Sequence, residues 1–424
     1  MTINVGDKVL LFPDGKGGYT AYEISAPAVG EKCILIPDGK GGYIAVGTGA
    51  PEAGGKVPVV PDGKGGYITW KAGTPTPILY FIKQSSGNLV LTSLFVDYTT
   101  SATTIRSEGD ATYYSYDVDD LNNLHLLWCH NNNSPVYYGK YNLNTSAWTI
   151  EEQETDIPPY EDGETIFYSF ELAASDTRLC NYQVRADEVG SYHTRVFDCG
   201  IDSPDDWTQR YNNIGTASAY STRLKYTNDD LFCVISSLPW LGNNTKLFYE
   251  SSAGTWTSHS LTYTNGEKGL ASNFDINNSG ELYFVFDYDK PNPTDPWKVY
   301  LTHISPGTSA CPVDKTLGDT VAGDFHWFKG TLKFYDNKTD YCYIAWGSSM
   351  NLLYGKYIDG AYTNTYYSSL GPSSIDPKLP FLLSDKTKGN DVYGYCNYNG
   401  FLFKNGYIAT TLTTNLGYLF CKKQ

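Results

Sequence analysis

The chain has 424 residues, 15% of them aromatic, with 37 Tyr and only 2 Met. Its formal net charge of -15 leaves no excess of basic residues, so we expect it to bind neither nucleic acid nor an anionic membrane. Tyr, Thr and Trp favour strands, and no long stretch has the apolar period of an amphipathic helix. The composition therefore predicts an all-β protein.

The N-terminal region repeats one heptapeptide three times. Pro-Asp-Gly-Lys-Gly-Gly-Tyr begins at Pro13, Pro37 and Pro61, 24 residues apart, while the residues around it differ between copies. Each copy lies between short apolar runs, and Pro, Asp and Gly are typical turn residues. The pattern predicts three strand–turn–strand hairpins in residues 1–73.

The identical turns favour a docking function for this region. A turn alone does not need the same Lys and Tyr in every copy, although turn formation by itself remains the alternative interpretation. A Gly-rich loop with Lys also occurs in phosphate-binding loops, but neither Lys-Ser/Thr nor a helix start follows, so nucleotide binding is not expected. The predicted docking residues at the repeat tips are Lys16, Tyr19, Lys40, Tyr43, Lys64 and Tyr67.

Residues 74–77 form a Pro-rich linker, and residues 78–424 contain a second, looser repeat. In each unit a turn precedes a strand, and a second strand rich in Tyr or Phe and an outer strand follow it. Four-stranded units repeated around a ring leave only short edges, which predicts a β-propeller. We count seven blades, or six if the first and last units are halves of one blade. In the seven-blade count, residues 417–420 close the ring against the first unit.

Five cysteines mark equivalent strands of these units, with spacings of 51, 53, 109 and 54 residues. Equivalent positions on successive units of a ring lie too far apart for a disulfide, which needs Cα atoms within about 7 Å. We therefore expect small, buried, reduced side chains. The five are Cys129, Cys180, Cys233, Cys342 and Cys396.

The units resemble β-propellers of the sialidase-like (BNR) kind. In that family an Asp-x-x-Gly-x-hydrophobic turn precedes the second strand, and a Trp follows the third. Residues 275–282 are the closest match to the turn, and Trp148, Trp207 and Trp256 begin the predicted outer strand of three consecutive units. The resemblance covers about residues 78–424 and implies the propeller fold.

The same resemblance does not imply sialidase activity. Sialidases hold the substrate carboxylate with three arginines, one of them in an Arg-Ile-Pro setting near the start of the domain. This chain has six Arg, and Arg106 follows Ile105 but precedes Ser107. The arginine of that setting therefore has no counterpart here.

The connections from second to third strand open on one face of a propeller, and here they differ greatly from unit to unit. Variable loops on a rigid scaffold often carry function. Aromatic rings beside Asn and Asp suit the stacking and hydrogen bonding of a sugar, whereas capping of the blade ends is the alternative role for the Trp side chains. The predicted ligand-binding residues on this face are Trp240, Trp297, Trp346, Tyr288, His130 and Arg185.

The sequence selects no catalytic or metal-binding set, and we expect no cofactor. A glycosidase needs two carboxylates about 5–9 Å apart, so a glycan-degrading propeller enzyme remains an alternative in a chain rich in Asp and Glu. Neither Gly-x-Ser-x-Gly nor Cys-x-x-Cys occurs. Residues 117–122 offer oxygen ligands near calcium-loop spacing but lack the Gly and the terminal Glu, so we interpret them as a blade turn.

This organisation is similar to that of tail-fibre or receptor-binding proteins of tailed viruses of bacteria or archaea. The chain combines N-terminal β-repeats with a β-domain rich in Tyr, Asn and Thr, and shows neither a signal peptide nor a membrane span. The resemblance implies that residues 1–73 attach to tail or capsid proteins and that the propeller, acting as an adhesin for host attachment, contacts a surface glycan or protein.

From this resemblance we expect synthesis in the cytoplasm and a final location in the virion, outside the producing cell. A decoration protein of a capsid or filament without host binding is a second alternative. A homo-oligomer is compatible with the resemblance to fibre proteins, although the sequence has no coiled-coil heptads to enforce one.

Overall fold

The computed structural model of the chain contains only strands as regular elements among the residues it describes. This confirms the all-β prediction, and no described segment is a helix long and apolar enough to cross a membrane. The described residues are 9–13, 19–23, 33–37, 43–47, 59–61, 67–69, 77–107, 113–130, 135–158, 164–187, 192–215, 224–226, 231–238, 244–263, 271–277, 279–287, 298–312, 314–319, 329–334, 341–348, 351–358, 361–368, 382–383, 393–395, 400–405, 407–413, 416 and 418–420.

The chain divides into two compact units, Met1–Pro77 with Phe95–Thr99 and Ile78–Leu94 with Thr100–Gln424. The first unit contains three antiparallel hairpins, in which the Pro of each heptapeptide opposes its Tyr. The tip lysines and most of the linker assigned to 74–77 lie outside the described residues, so the docking role and the domain bounds stay predictions. The paired strands are β1 (Val9–Pro13) with β2 (Tyr19–Glu23), β3 (Cys33–Pro37) with β4 (Tyr43–Gly47), and β5 (Val59–Pro61) with β6 (Tyr67–Thr69).

The second unit contains the remaining strands, many of which have Tyr, Phe, Val, Ile or Leu among their residues. In chain order they are β7 (Leu79–Ser85), β8 (Asn88–Leu94), β9 (Thr100–Arg106), β10 (Tyr113–Val118), β11 (Asn123–Cys129), β12 (Tyr137–Asn142), β13 (Ala147–Glu154), β14 (Glu164–Ala174), β15 (Arg178–Asp187), β16 (Tyr192–Gly200), β17 (Thr208–Gly215), β18 (Leu224–Tyr226), β19 (Phe232–Leu238), β20 (Asn244–Ser252), β21 (Thr255–Ser260), β22 (Thr262–Tyr263), β23 (Ala271–Ile276), β24 (Leu282–Asp287), β25 (Lys298–Ile304), β26 (Ala310–Cys311), β27 (Lys315–Asp319), β28 (Lys329–Phe334), β29 (Tyr341–Ser348), β30 (Asn351–Ile358), β31 (Ala361–Ser368), β32 (Leu382–Leu383), β33 (Tyr393–Tyr395), β34 (Phe401–Lys404), β35 (Tyr407–Thr411) and β36 (Tyr418–Phe420).

Within the described part of the unit, all of these strands except β22 and β26 form seven four-stranded antiparallel sheets, and β22 pairs with β26 in parallel. Six of the four-stranded sheets are each built from one continuous stretch of chain, and the other joins the two ends of the unit. We number the composite sheet first, from its innermost strand outwards. Sheet 1 is β36-β7-β8-β9, sheet 2 β10-β11-β12-β13, sheet 3 β14-β15-β16-β17, sheet 4 β18-β19-β20-β21, sheet 5 β23-β24-β25-β27, sheet 6 β28-β29-β30-β31 and sheet 7 β32-β33-β34-β35.

The sheets follow one another in a closed ring, which is the order of a β-propeller. Strand β10 contacts β14, and β14 contacts β18 of sheet 4. Strand β19 of the same sheet contacts β23, and the contacts continue through β28 and β32 to β36. Phe420 of β36 then lies 5.2 Å, between ring centroids, from Tyr116 of β10. The ring thus closes through β36, which pairs with β7, as expected for residues 417–420. The propeller prediction is confirmed. The count of seven blades is not matched, whereas the six-blade alternative is: six sheets are each one continuous stretch of chain, and the composite sheet joins the two ends of the unit.

Each sheet has two different ends. First-to-second and third-to-fourth strand connections lie at what we call the turn end, and second-to-third connections at the loop end. At the turn end of sheet 2, Asp119 accepts the backbone N–H of Asn123 (2.8 Å), and in sheet 5 the amide oxygen of Asn277 accepts that of Glu281 (2.9 Å). The residue before each donor has positive φ. Residues 119–122 therefore form the predicted blade turn, whereas Asp117 and Val118 of the predicted segment are the last residues of β10.

The core between the sheets contains the marker residues. Cys129, Cys180 and Cys233 are buried and free, as expected, whereas the side chains of the other two marker cysteines lie outside the described residues. Trp207 and Trp256 are buried at the start of outer strands. The half-buried Trp148 donates its indole N–H to the carbonyl of Ile105 in the neighbouring sheet (2.9 Å). The predicted position of the tryptophans is confirmed.

Candidate functional site

The structure describes the side chains of two of the predicted ligand-binding residues. Trp240, Trp297 and Tyr288 lie outside the described residues, and for Trp346 only the backbone is described. Trp346 and Arg185 were predicted in loops, and this was wrong: Trp346 lies in β29 opposite Leu353, and Arg185 lies in β15 opposite His193. His130 directly follows β11 at the loop end of sheet 2.

Arg185 belongs to a row of polar side chains on the face of β15 that points to sheet 2. Its guanidinium donates to the amide oxygen of Gln183 (2.8 Å) and to the carbonyl of Pro158 (3.0 Å), and Gln183 donates in turn to Asn181. All three side chains are buried. This polar segment was predicted as a loop, but it is a strand whose polar side chains are buried in the junction with sheet 2. They can be buried there because they form hydrogen bonds with one another. A ligand contact by Arg185 stays a prediction.

Arg185 and His130 lie in adjacent sheets. Burial raises the pKa of the Cys129 thiol to about 12, and the positive charge of Arg185 acts against this rise. Cys129 immediately precedes His130, so the guanidinium of Arg185 lies near the strand end that carries the imidazole.

The last row of side chains at the loop end of sheet 2 is mainly aromatic. On the face towards sheet 1, Tyr114 of β10 opposes Trp128 of β11, Trp128 opposes Tyr137 of β12, and Tyr137 opposes Glu154 of β13. Directly opposed residues on neighbouring strands share one face of a sheet. Consecutive strand ends therefore place three aromatic rings and a carboxylate side by side. We call these four residues together with His130 the terminal row.

Ring contacts connect the members of the terminal row. Trp128 and Tyr137 are stacked with centroids 6.1 Å apart, and the His130 ring meets Tyr137 edge-on at 5.0 Å. From sheet 1, the guanidinium carbon of Arg106 lies 4.6 Å from the centroid of Trp128. Trp128 is fully buried, whereas Tyr114, Tyr137 and His130 are half-buried. The row thus has a packed base and partly accessible rings beside it.

Negative charge surrounds the terminal row. Arg106 forms an ion pair with Glu152 and donates to the carbonyl of Glu151 (3.3 Å), so its charge is compensated. The side chains of Glu151 and Glu154 are exposed. Burial raises the pKa of Tyr114, and a hydrogen bond with the backbone of Gln84 partly offsets that rise, so its phenol stays protonated at neutral pH. The row therefore combines ring surfaces, hydroxyl and imidazole groups, and an exposed carboxylate.

The turn end of the same sheet contains a different polar group. Asp119 bonds His125 Nε2 (3.0 Å), and His125 Nδ1 bonds the hydroxyl of Tyr138 (2.7 Å), all three side chains being buried. Burial chiefly lowers the pKa of His125, against the effect of Asp119. A neutral imidazole fits both contacts, with Nε2–H donating to the carboxylate and Nδ1 accepting from the phenol. This buried network connects the turn after β10 with strands β11 and β12.

A charge network joins the turn ends of sheets 3 and 4. Arg178 donates to both carboxylate oxygens of Glu250 (2.8 and 3.0 Å) and pairs with Asp198, which also accepts from Arg210 (2.7 Å). Glu250 additionally accepts the backbone N–H of Phe232 (3.2 Å). In this network both carboxylates are buried and bonded to cations, which identifies a structural link between sheets. No group of three or more His, Cys, Asp or Glu among the described residues could hold a metal ion.

Sequence reasoning missed most of the terminal row. It considered the loops and treated Trp128 and Tyr137 only as members of strands. The available signal was the position of an aromatic residue at the loop end of three consecutive strands, Tyr114, Trp128 and Tyr137, with His130 next in the chain. Only the strand register shows that they are neighbours.

Comparisons with known proteins identify no family. No family model matches the chain, and neither does any curated protein. Among solved structures the chain is similar to the WD40 domain of SCAP from fission yeast, with 8% identity, a TM-score of 0.42, and 76% of this chain and 78% of that chain covered. It is also similar to the Hadza microbial sialidase Hz136, with 9% identity, a TM-score of 0.40 and coverage of 66% and 62%.

A third similar structure is the fungal lectin from Aleuria aurantia, with 10% identity, a TM-score of 0.38, and 71% of this chain and 97% of that chain covered. The chain spans less than two thirds of the sialidase with which it is compared. The propeller architecture of this chain follows from its own sheet order and ring closure.

Proposed function

We propose that this chain is a binding protein whose propeller recognises a glycan or protein on a host surface through its loop end. The observation that carries the proposal is the terminal row, where half-buried aromatic rings lie beside an exposed carboxylate at the end of a rigid sheet. Aromatic surface with a few polar groups on a fixed scaffold is typical of recognition sites. The described buried carboxylates at the turn end are instead bonded within the protein.

We extend the proposal to a structural protein of the virion, on the basis of how the chain is organised: N-terminal repeats followed by a β-propeller. Three hairpins with the same register present the same heptapeptide, which suits attachment to a tail or capsid protein through residues 1–73. This part of the proposal is supported by the identical heptapeptide sequence in the three repeats. Replacing Lys16, Lys40 and Lys64 by Ala is expected to prevent incorporation into particles while the propeller remains folded. Normal incorporation of this triple variant would contradict the attachment role.

The binding role is tested with the fluorescently labelled full chain on a panel of bacterial and archaeal cells. Periodate treatment of the cells destroys glycans and protease treatment removes proteins, so the two treatments identify the receptor class. Variants Trp240→Ala and Trp297→Ala are expected to weaken adhesion, because both lie in predicted loop-end connections. Leu121→Ala is the matched control, since Leu121 is exposed at the turn end of sheet 2.

Adhesion lost only in the control variant would contradict a binding site at the loop end. Release of reducing ends from the bound polysaccharide would instead identify the glycan-degrading alternative. Regular copies along a particle lattice without adhesion to any cell would identify a decoration protein.

A further inference from the structure

We infer that the terminal row of sheet 2 is a subsite for a neutral sugar ring, an assignment that rests on the proposed function and names its ligand class. The row lies at the junction of sheets 1 and 2. Its members come from four consecutive strands and from the residue that follows β11.

The ring surfaces define the first requirement on the ligand. Tyr137 and His130 are half-buried and in edge-on contact, so each leaves part of a flat surface accessible beside the other. The C–H groups on one face of a pyranose pack against such rings, and the remaining hydroxyls point outwards. Trp128 stacks under Tyr137, which fixes the orientation of the phenol before a ligand arrives.

The carboxylate defines the second requirement. Glu154 directly opposes Tyr137 in the register and is exposed, so its oxygens can accept hydrogen bonds from sugar hydroxyls next to the ring. Charge-assisted bonds of this kind favour polyhydroxylated ligands over purely apolar ones.

The charge balance of the row selects against anionic sugars. Arg106 is the cation that lies over Trp128 in the row, and it is paired with Glu152. Arg185 lies on the other side of sheet 2, in its junction with sheet 3, where it donates to Gln183. With the charge of Arg106 compensated, Glu154 leaves the row negative. A uronic or sialic acid would place like charges together, which disfavours binding. The geometry points to a neutral hexose, pentose or deoxyhexose unit of a surface polysaccharide.

The test uses the full chain and immobilised polysaccharides, with dissociation constants measured by biolayer interferometry. Dextran, mannan and galactan are the neutral probes, and alginate and polysialic acid are the anionic probes. Wild type is expected to bind at least one neutral probe and to discriminate against both anionic ones. His130→Ala and Tyr137→Ala are expected to weaken neutral binding about fivefold to tenfold, because each removes a stacking ring.

Glu154→Gln tests the ligand class without disturbing the fold, because this exposed side chain is not part of the packed base of the row. We expect it to reduce the neutral-to-anionic preference about threefold or more. Asp120→Asn removes the same charge from an exposed side chain at the turn end of the same sheet, and is expected to leave the preference unchanged. Tyr137→Phe retains the stacked ring and is expected to keep most of the affinity. If Tyr137→Phe binds weakly as well, the ring is not the group that contacts the sugar, and the weak binding of Tyr137→Ala cannot be assigned to the loss of stacking.

A neutral polysaccharide bound equally well by all row variants would overturn the inference and leave the proposed function standing. A preference for alginate or polysialic acid would do the same. Absence of binding to every polysaccharide, together with adhesion to cells that only protease abolishes, would overturn the sugar subsite but support a protein receptor. Absence of both polysaccharide binding and cell adhesion would overturn both proposals.

Discussion

The two ends of the propeller sheets use charged and aromatic side chains differently. At the turn end, buried Asp119, Asp198 and Glu250 are each bonded to a cation, an imidazole or backbone N–H groups. At the loop end of sheet 2, the described carboxylates are exposed and aromatic rings fill the space towards sheet 1. The comparison indicates that the turn end joins neighbouring sheets to one another, while the loop end has polar groups and ring surfaces left for a partner.

The largest expected effect comes from removing Glu250. Glu250→Ala leaves Arg178 with Asp198 alone and removes acceptors from backbone N–H groups, so we expect a loss of about 3–5 kcal/mol in the free energy of unfolding. Urea denaturation measures this loss. Glu152→Ala is the control at the loop end, where the ion pair with Arg106 is partly exposed, and we expect a loss of about 0.2–1 kcal/mol. Equal losses would remove the distinction between the two ends.

The second prediction concerns the glycine beneath the terminal row. A Cβ at Gly139 would lie 2.7 Å from the indole of Trp148 and 3.0 Å from that of Trp128. We therefore expect Gly139→Ala to displace these rings and to lower the free energy of unfolding by about 1–3 kcal/mol, with a change in tryptophan fluorescence. Gly200→Ala is the control, because no heavy atom lies within 4 Å of its Cβ position. An unchanged fluorescence spectrum would show that the base of the row adapts without moving its rings.

The third prediction concerns pH and the buried network at the turn end of sheet 2. Burial lowers the pKa of His125 below its ordinary value, so the unfolded chain takes up the proton first as the pH falls. Stability should therefore decrease as the pH falls below about 6.5, the ordinary pKa of histidine. Burial acts to raise the pKa of Asp119, but hydrogen bonds from His125 and Asn123 outweigh this effect and lower the pKa overall. The contribution of Asp119 to the free energy of unfolding is therefore lost only as the pH falls below about 4.

His125→Gln separates this contribution from the rest of the chain. The variant is expected to be less stable at pH 7, because Gln cannot reproduce both imidazole contacts, but to lose less stability between pH 7 and pH 5. Unfolding curves in urea at both pH values measure the difference. A wild type and a variant with the same pH dependence would assign the titration to other groups.

The fold could largely be predicted from the sequence, since repeat spacing, turn residues and strand-forming composition all indicate four-stranded units in a ring. Cys129, Cys180 and Cys233 correctly marked the second strands of sheets 2, 3 and 4, because a small apolar side chain is buried there in each of these three sheets. The closing strand was also predicted, because residues 417–420 remained after the last complete unit.

The site could be predicted only in part. His130 was predicted from its loop position. Arg185 was placed in a loop, although Asn181, Gln183 and Arg185 alternate with Tyr182 and Val184 at the two-residue period of a strand. The terminal row depends on which residues oppose one another across strands. A shift of one residue in any strand would direct its side chain to the other face, so the register had to be known first.

The smallest expected effect tests whether Arg106 contributes as little to the free energy of unfolding as we expect for a contact at the loop end. Arg106→Lys keeps the positive charge but replaces the planar group over Trp128, so part of the cation–π contact and the bond to the Glu151 carbonyl are lost. We expect a loss of about 0.5–1 kcal/mol in the free energy of unfolding. A double-mutant cycle with Glu152→Ala measures how much of this depends on the ion pair. A loss above about 2 kcal/mol would show that the junction of sheets 1 and 2 stabilises the ring as strongly as a buried ion pair does, and the contrast between the two ends would then apply only to sheets 3 and 4.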